Sequence, residues 1–280
     1  MVMPDYGDDT WTDELELELG RPLPDGFQSA SDHTGRYTPE PAPALIDGIL
    51  RRGHRMLITG EPKIGKSWFA IDLAWSIVTG GKLLDRFQCE RGRVVYVNAG
   101  LDEREFRERV ERVADMRGIP LAPENHAPFR TFHTRGQGMD MEMVAAELIC
   151  GFQGVDVAAV IIDPIYKLMG NENDPAAVRA VDKWTAEIAC ALDCAVVCVH
   201  YSEHGSPALT DMADRVCGSP LLPRCFDAHV DLAKSARYRM RGGGDVLQAE
   251  FAMRCFPKPP AMTLLREGPV FVPRKEAVEF

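Results

Sequence analysis

Eight consecutive residues, Gly60-Glu61-Pro62-Lys63-Ile64-Gly65-Lys66-Ser67, constrain this chain more than any other stretch. They satisfy G-x-x-x-x-G-K-[ST] in full, and each fixed position has a physical reason. The glycines let the backbone wrap closely enough for its N–H groups to point at phosphate oxygens. Lys66 places a cation on the β and γ phosphates, and the Ser67 hydroxyl is a magnesium ligand. Trp68 follows at the start of an apolar-faced segment, so the helix opening here aims its positive end at the anion. Gly60 to Trp68 is therefore the expected ATP cradle, with Mg2+ as its companion. Within it, Lys63 reads more simply as an exposed surface lysine than as a second phosphate ligand.

The flanking pattern fits that cradle. A compact strand over 55–59 ends at Gly60, and a helix over 68–78, apolar on one face with Asp72 and Ser76 on the other, stops at Gly80-Gly81. Further strands are expected over 93–98, 129–132, 157–162 and 194–200, alternating with helices over 103–116, 141–150 and 175–192. A short helix is expected over 45–50. Strands of unbroken Val, Ile and Ala between amphipathic helices mean a mostly parallel sheet covered on both faces, an α/β fold. Short strands over 230–232, 247–253 and 261–265, after turns at Gly242-Gly243-Gly244 and Pro257 to Pro260, suggest an antiparallel extension at one edge.

Composition sorts the rest. Ten acids and two bases in residues 1–40 carry −8 of the formal net charge of −10, so the remainder is nearly neutral. Residues 1–43 read as an acidic, disordered arm able to dock a protein partner, and 44–280 as the nucleotide-binding domain. No apolar run approaches the ~20 residues of a membrane helix, and Met1 to Thr10 is acidic rather than a cationic leader, so a cytoplasmic protein is expected. The eight cysteines lack a CxxC pair and lie mostly in apolar stretches, as buried thiols do.

The partner acid of such a site belongs at the carboxyl end of a buried strand, where it holds the magnesium shell. Val160-Ile161-Ile162-Asp163 supplies it. With Asp163-Pro164-Ile165-Tyr166, Gly170-Asn171-Glu172-Asn173 and Val197-Cys198-Val199-His200-Tyr201-Ser202 in that order, the chain from about residue 44 to 259 resembles a RecA-like ATPase. It is most similar to the RepA-type plasmid replicative helicases and related AAA-type ATPases of mobile elements. The resemblance implies a RecA-type core and a homo-oligomer, often a six-membered ring with ATP between subunits.

It also implies roles. His200 takes the place of the first residue of a His-His pair that senses the γ-phosphate; Tyr201 replaces the second. Glu203-His204 stands where the family often carries a lysine. Arg215-Val216-Cys217-Gly218-Ser219 fits the Arg-x-x-Gly-Ser signature of an arginine reaching a neighbour's ATP, with Arg224 in reserve. Relatives follow the 93–98 strand with Glu-Leu-Asp, whose glutamate activates water; this chain reads Gly100-Leu101-Asp102. Glycine can neither take a proton nor orient water, and losing such a base costs on the order of 100- to 10,000-fold. Asp102 or Glu103 would have to substitute.

Two functions follow as expectations. One is a ring motor on single-stranded DNA in replication or maintenance of a mobile element, gripping the strand through 202–214 and 167–174. Those segments are poor in bases, Lys167 being their single cation. The other is a hydrolysis-deficient ATP switch, motivated by Gly100. A small-molecule kinase is disfavoured because no arginine-rich lid is recognisable.

Overall fold

The computed structural model describes residues 41–120, 128–202, 215–235 and 245–274. Residues 1–40 of the arm expected over 1–43, the segment 203–214 with Glu203-His204, and the Gly242-Gly243-Gly244 turn lie outside them. A compact unit spans Ala42–Phe280.

The chain enters through β1 (Ala44–Ile46) and β2 (Leu50–Arg51), an antiparallel pair. The helix expected over 45–50 is thus a tight hairpin turning at left-handed Gly48. Its strands are held from outside, Glu90 N donating to Leu45 O at 2.9 Å, which local periodicity cannot reveal. Then come β3 (Arg55–Gly60), α1 (Lys66–Thr79), the small pair β4 (Lys82–Leu83) and β5 (Phe87–Gln88), β6 (Val94–Asn98) and α2 (Glu103–Met116). After β7 (Phe129–His133) follow α3 (Met141–Phe152), β8 (Ala159–Asp163), a 3-10 turn at Ile165–Lys167, α4 (Pro175–Leu192) and β9 (Ala195–Val199). The last third supplies a 3-10 turn (Leu222–Cys225), β10 (Ala228–Lys234), β11 (Val246–Met253), β12 (Met262–Glu267) and β13 (Val270–Pro273).

Nine strands form the main sheet in the order β13-β12-β11-β10-β3-β9-β8-β6-β7. From β10 to β7 neighbours are parallel; β10 to β13 pair antiparallel, the extension expected at one edge. Within this sheet β13 alone has no counterpart among the expected strands; outside it the small pairs β1–β2 and β4–β5 have none either.

Side chains alternate across the sheet as a period of two requires. Met56, Ile58, Tyr96, Ile161 and Val197 face the layer of α1 and α2 with Phe69, Trp75 and Phe106. Leu57, Val95, Val97, Ile162 and Cys198 face α3 and α4 with Val144, Leu148, Val181 and Ile188. Each such side chain, fully buried, is worth about 1.5–3 kcal/mol. Capping follows the sequence: Asp102 accepts from Glu105 N, Asp140 from Met143 N and Asp174 from Ala176 N.

The polar face expected for α1 is absent. Asp72 and Ser76 are buried, Asp72 receiving Arg117 Nε and NH2 at 2.6 Å each as a bidentate pair, and Ser76 Oγ donating to Asp72 O. The helix is therefore wrapped on all sides by the sheet, α2 and the extension.

Candidate nucleotide site

The cradle starts where β3 ends. Gly60 and Gly65 both have positive φ, 153° and 112°, and neither has room for a side chain. A Cβ on Gly60 would meet Leu232 O at 2.5 Å, and one on Gly65 would meet Phe271 Cζ at 2.8 Å. The antiparallel edge thus braces the loop from behind. Gly65 is the N-cap of α1, which has no side-chain cap and no acid in its first turn. Its free N–H groups and positive end are left for an anion.

Lys66 Nζ donates to Gly60 O at 2.7 Å and Glu61 O at 2.9 Å. Burial pulls its ammonium down to about 8, against the nearby acids Asp163, Asp231 and Glu61. Asp163, 5% exposed at the end of β8, accepts from Tyr96 Oη at 2.6 Å and from the Ser67 hydroxyl. Burial raises its carboxyl, while these two hydroxyls, then Lys66 and Arg109, pull it back.

A cavity of about 460 Å³ opens over these groups, lined by Lys66, Ser67 and Asp163, with Gly100, Tyr166, His200 and Tyr201 among the rest of its wall. A buried carboxylate touching a hydroxyl, beside an ammonium and an uncapped helix end, suits a magnesium–triphosphate. Mg2+ takes one or two protein oxygens and keeps several waters. Among the described residues there is no group of three His, Cys, Asp or Glu able to hold a metal without a ligand's help.

Other expected residues lie less simply. Lys63 is exposed in left-handed backbone and lines the cavity rim with Pro62, whereas Ile64 is buried in the core. Trp68 points away, with Arg109 and Arg112 stacked on it at 5.0 and 5.3 Å, and is not part of the cavity wall. His200 does line the cavity and is fully buried. Its Nε2 lies 3.0 Å from Cys217 O, so Nε2 carries the hydrogen, and Nδ1 is left buried without a partner. Burial lowers its pKa, which favours the neutral imidazole. Tyr201 donates to Glu172 Oε1 at 2.5 Å, which ties the 170–173 motif to the cavity wall.

Asp102 and Glu103 are outside the wall. Asn98 Oδ1 accepts from Leu101 N and its amide donates to Leu101 O, fixing the loop so that Asp102 turns outward as the α2 cap. Glu103 is exposed, 3.6 Å from Arg107. At Gly100 a Cβ would come 2.8 Å from Pro164 Cδ, so the proline ring occupies the space a side chain would need.

Arg215 is 3% exposed, not projecting. Its Nη2 is shared by Asp231 at 3.0 Å and Glu250 at 2.5 Å, while Nε and Nη1 are buried without hydrogen-bond partners. Thr59 Oγ1 donates to Asp231 Oδ1 at 2.5 Å and meets His229 Nε2 at 2.7 Å. The arginine expected to reach a neighbour is therefore held inside its own chain. Arg224, on the 3-10 turn, is exposed.

A family model described as AAA domain matches residues 22–207. The chain belongs to the AAA domain family. Curated protein sequences contain no match to this AAA domain. Its fold is similar to the crystal structure of the RadB recombinase, with a TM-score of 0.55 and 17% identity over 79% of this chain and 90% of that one. The AAA domain here is thus a RecA-like P-loop ATPase fold, as expected. No helix of the described residues is long and apolar enough to cross a membrane. None of the eight cysteines forms a disulfide; Cys89, Cys194 and Cys198 are buried as expected, whereas Cys150, Cys190 and Cys255 are exposed.

Proposed function

We propose that this AAA domain binds ATP with magnesium and uses the bound nucleotide as a switch for assembly, turning it over slowly on its own. One observation carries the reading. Among the described residues lining the nucleotide cavity Asp163 is the single carboxylate, and it is engaged by Ser67 and Tyr96. Lys66 would exchange the carbonyls of Gly60 and Glu61 for phosphate oxygens, and Ser67 with Asp163 would hold the metal. The metal, when bound, neutralises charge on the β and γ oxygens. Among the described residues no second carboxylate lines the cavity: Gly100 abuts Pro164 and Asp102 caps α2.

The second reading is a ring-forming motor on single-stranded DNA, of the RepA-type helicase kind, in replication or maintenance of a mobile element. The motif order and the similarity to a protein titled a recombinase favour it. In that case the partners are single-stranded DNA, a neighbouring subunit and a protein docked by the acidic arm, and a trans-acting group other than Arg215 as it lies here completes the site.

ATP turnover with and without a single-stranded oligonucleotide separates the two. The switch predicts turnover well below the ~1 per second at the slow end of ordinary enzymes, unchanged by DNA, with an ATP-dependent change in oligomer size. DNA stimulation of tenfold or more would replace the switch by the motor.

A further inference from the structure

A second cavity, of about 330 Å³, lies beside the nucleotide cavity, and Gly100 lines both. Its other walls include Ala99, Thr134, Arg135, Lys167 and Leu168. These residues follow the carboxyl ends of β6, β7 and β8, the edge at which α/β sheets bind ligands.

Three features mark it as built for an anion. First, Thr134 is 4% exposed and its Oγ1 is buried with no hydrogen-bond partner, although its amide donates to Asn98 O. An unpaired buried hydroxyl costs about 1–3 kcal/mol, a cost a ligand oxygen removes. Second, the cavity collects two cations from separate loops, Arg135 after β7 and Lys167 on the 3-10 turn after β8. Third, neither cation has a carboxylate within hydrogen-bond distance among the described residues. Asp102 Oδ1 is the α2 cap, and its Oδ2 makes only a long, half-exposed ion pair with Arg135 at 3.9 Å, while Lys167 Nζ sits 5.2 Å over the Tyr166 ring.

A guanidinium fork, an ammonium and a hydroxyl offer donors from three directions, which suits a tetrahedral oxyanion. We propose that this cavity binds a phosphate group between Arg135, Lys167 and Thr134. The source is either inorganic phosphate or a phosphodiester of a single strand. The proposal goes beyond the nucleotide reading and shares only the Gly100 wall with it.

The test uses the full chain saturated with a non-hydrolysable ATP analogue, so that free phosphate cannot enter the cradle. Inorganic phosphate is titrated by calorimetry, and a labelled fifteen-residue oligothymidylate by anisotropy. The unmodified protein binds at least one probe, and Arg135→Ala/Lys167→Ala weakens that binding about tenfold or more. Phosphate binding alone assigns the small anion; oligonucleotide binding assigns the strand, with a shallower salt dependence in the double variant. Thr134→Val, which keeps the shape, weakens the same probe about two- to tenfold and decides the matter if the double variant does not fold. The proposal is overturned if neither probe binds the unmodified chain, or if both variants bind as it does. The analogue's own affinity reports separately on the nucleotide reading, which fails on its own if the analogue does not bind.

Discussion

Tyr96 reaches from the middle of β6 to the end of β8 and donates its phenolic hydrogen to Oδ2 of Asp163 at 2.6 Å. Both groups are buried, and burial pushes the Asp163 carboxyl above the usual carboxylate range. The hydroxyls of Tyr96 and Ser67 favour the ionised form that attracts a divalent cation. Tyr96→Phe should therefore raise the magnesium concentration for half-maximal ATP binding several-fold. Stability should fall by about 1.5–3 kcal/mol, the scale of one lost hydrogen bond to a charged group. Calorimetric titrations across a magnesium series check both, and an unchanged magnesium midpoint would count against Asp163 as a metal group.

The Gly100–Pro164 contact makes a second prediction. Placing at this position the glutamate that the family resemblance implies, Gly100→Glu, forces a Cβ to within 2.8 Å of Pro164 Cδ. Overpacking of this kind costs about 1–3 kcal/mol. The single variant should unfold earlier than the unmodified chain and gain little turnover. A fully stable, fast single variant would show that the proline ring does not shape the loop.

Arg215 tests where the charge cluster acts. Removing it leaves Asp231 and Glu250 facing each other without a cation, and breaking a buried pair costs about 3–5 kcal/mol. Arg215→Ala should thus lose stability in the isolated chain. An arginine serving a neighbouring subunit would instead leave melting unchanged and affect turnover only. Denaturant titration beside an ATPase assay separates the outcomes.

His229 predicts the pH response. Burial, with the Arg215 guanidinium nearby, pulls its pKa down to about 3. The unfolded chain takes this proton near the ordinary value of about 6.5, and the folded chain takes it only near the lowered one. The stability linked to it is therefore present above pH 6.5 and lost on acidification, by about 1.4 kcal/mol per pH unit once well below that value. Burial raises Asp72 and Asp231, which works in the opposite direction. The check is the difference in slope between the unmodified chain and His229→Gln, measured by denaturation from pH 7.5 to 5. Equal slopes would contradict the assignment.

What the sequence made legible was local. The cradle, Asp163 and the helices Glu103–Met116 and Pro175–Leu192 carry their own punctuation, with Asp102 and Asp174 as caps and Pro175 at the first turn. The expected fold class followed from buried strands alternating with helices. What stayed hidden depends on contacts between distant residues. The 45–50 segment is a hairpin because Glu90 and Gln88 hold it, and Asp72 is buried because Arg117 reaches it from the end of α2. The Arg-x-x-Gly-Ser pattern says nothing of Asp231 and Glu250, and Gly100 looked like a simple loss until Pro164 was seen against it. Tyr201 and Tyr166 gave no sequence signal as cavity wall beyond standing next to His200 and Asp163.

The most direct test is calorimetry of ATP with excess magnesium on the unmodified chain, Lys66→Ala and Asp163→Asn. The account predicts one nucleotide per chain for the unmodified protein, binding lost in Lys66→Ala, and loss of the magnesium dependence in Asp163→Asn. Nucleotide uptake that survives Lys66→Ala at full strength, or none in the unmodified folded chain, would contradict it.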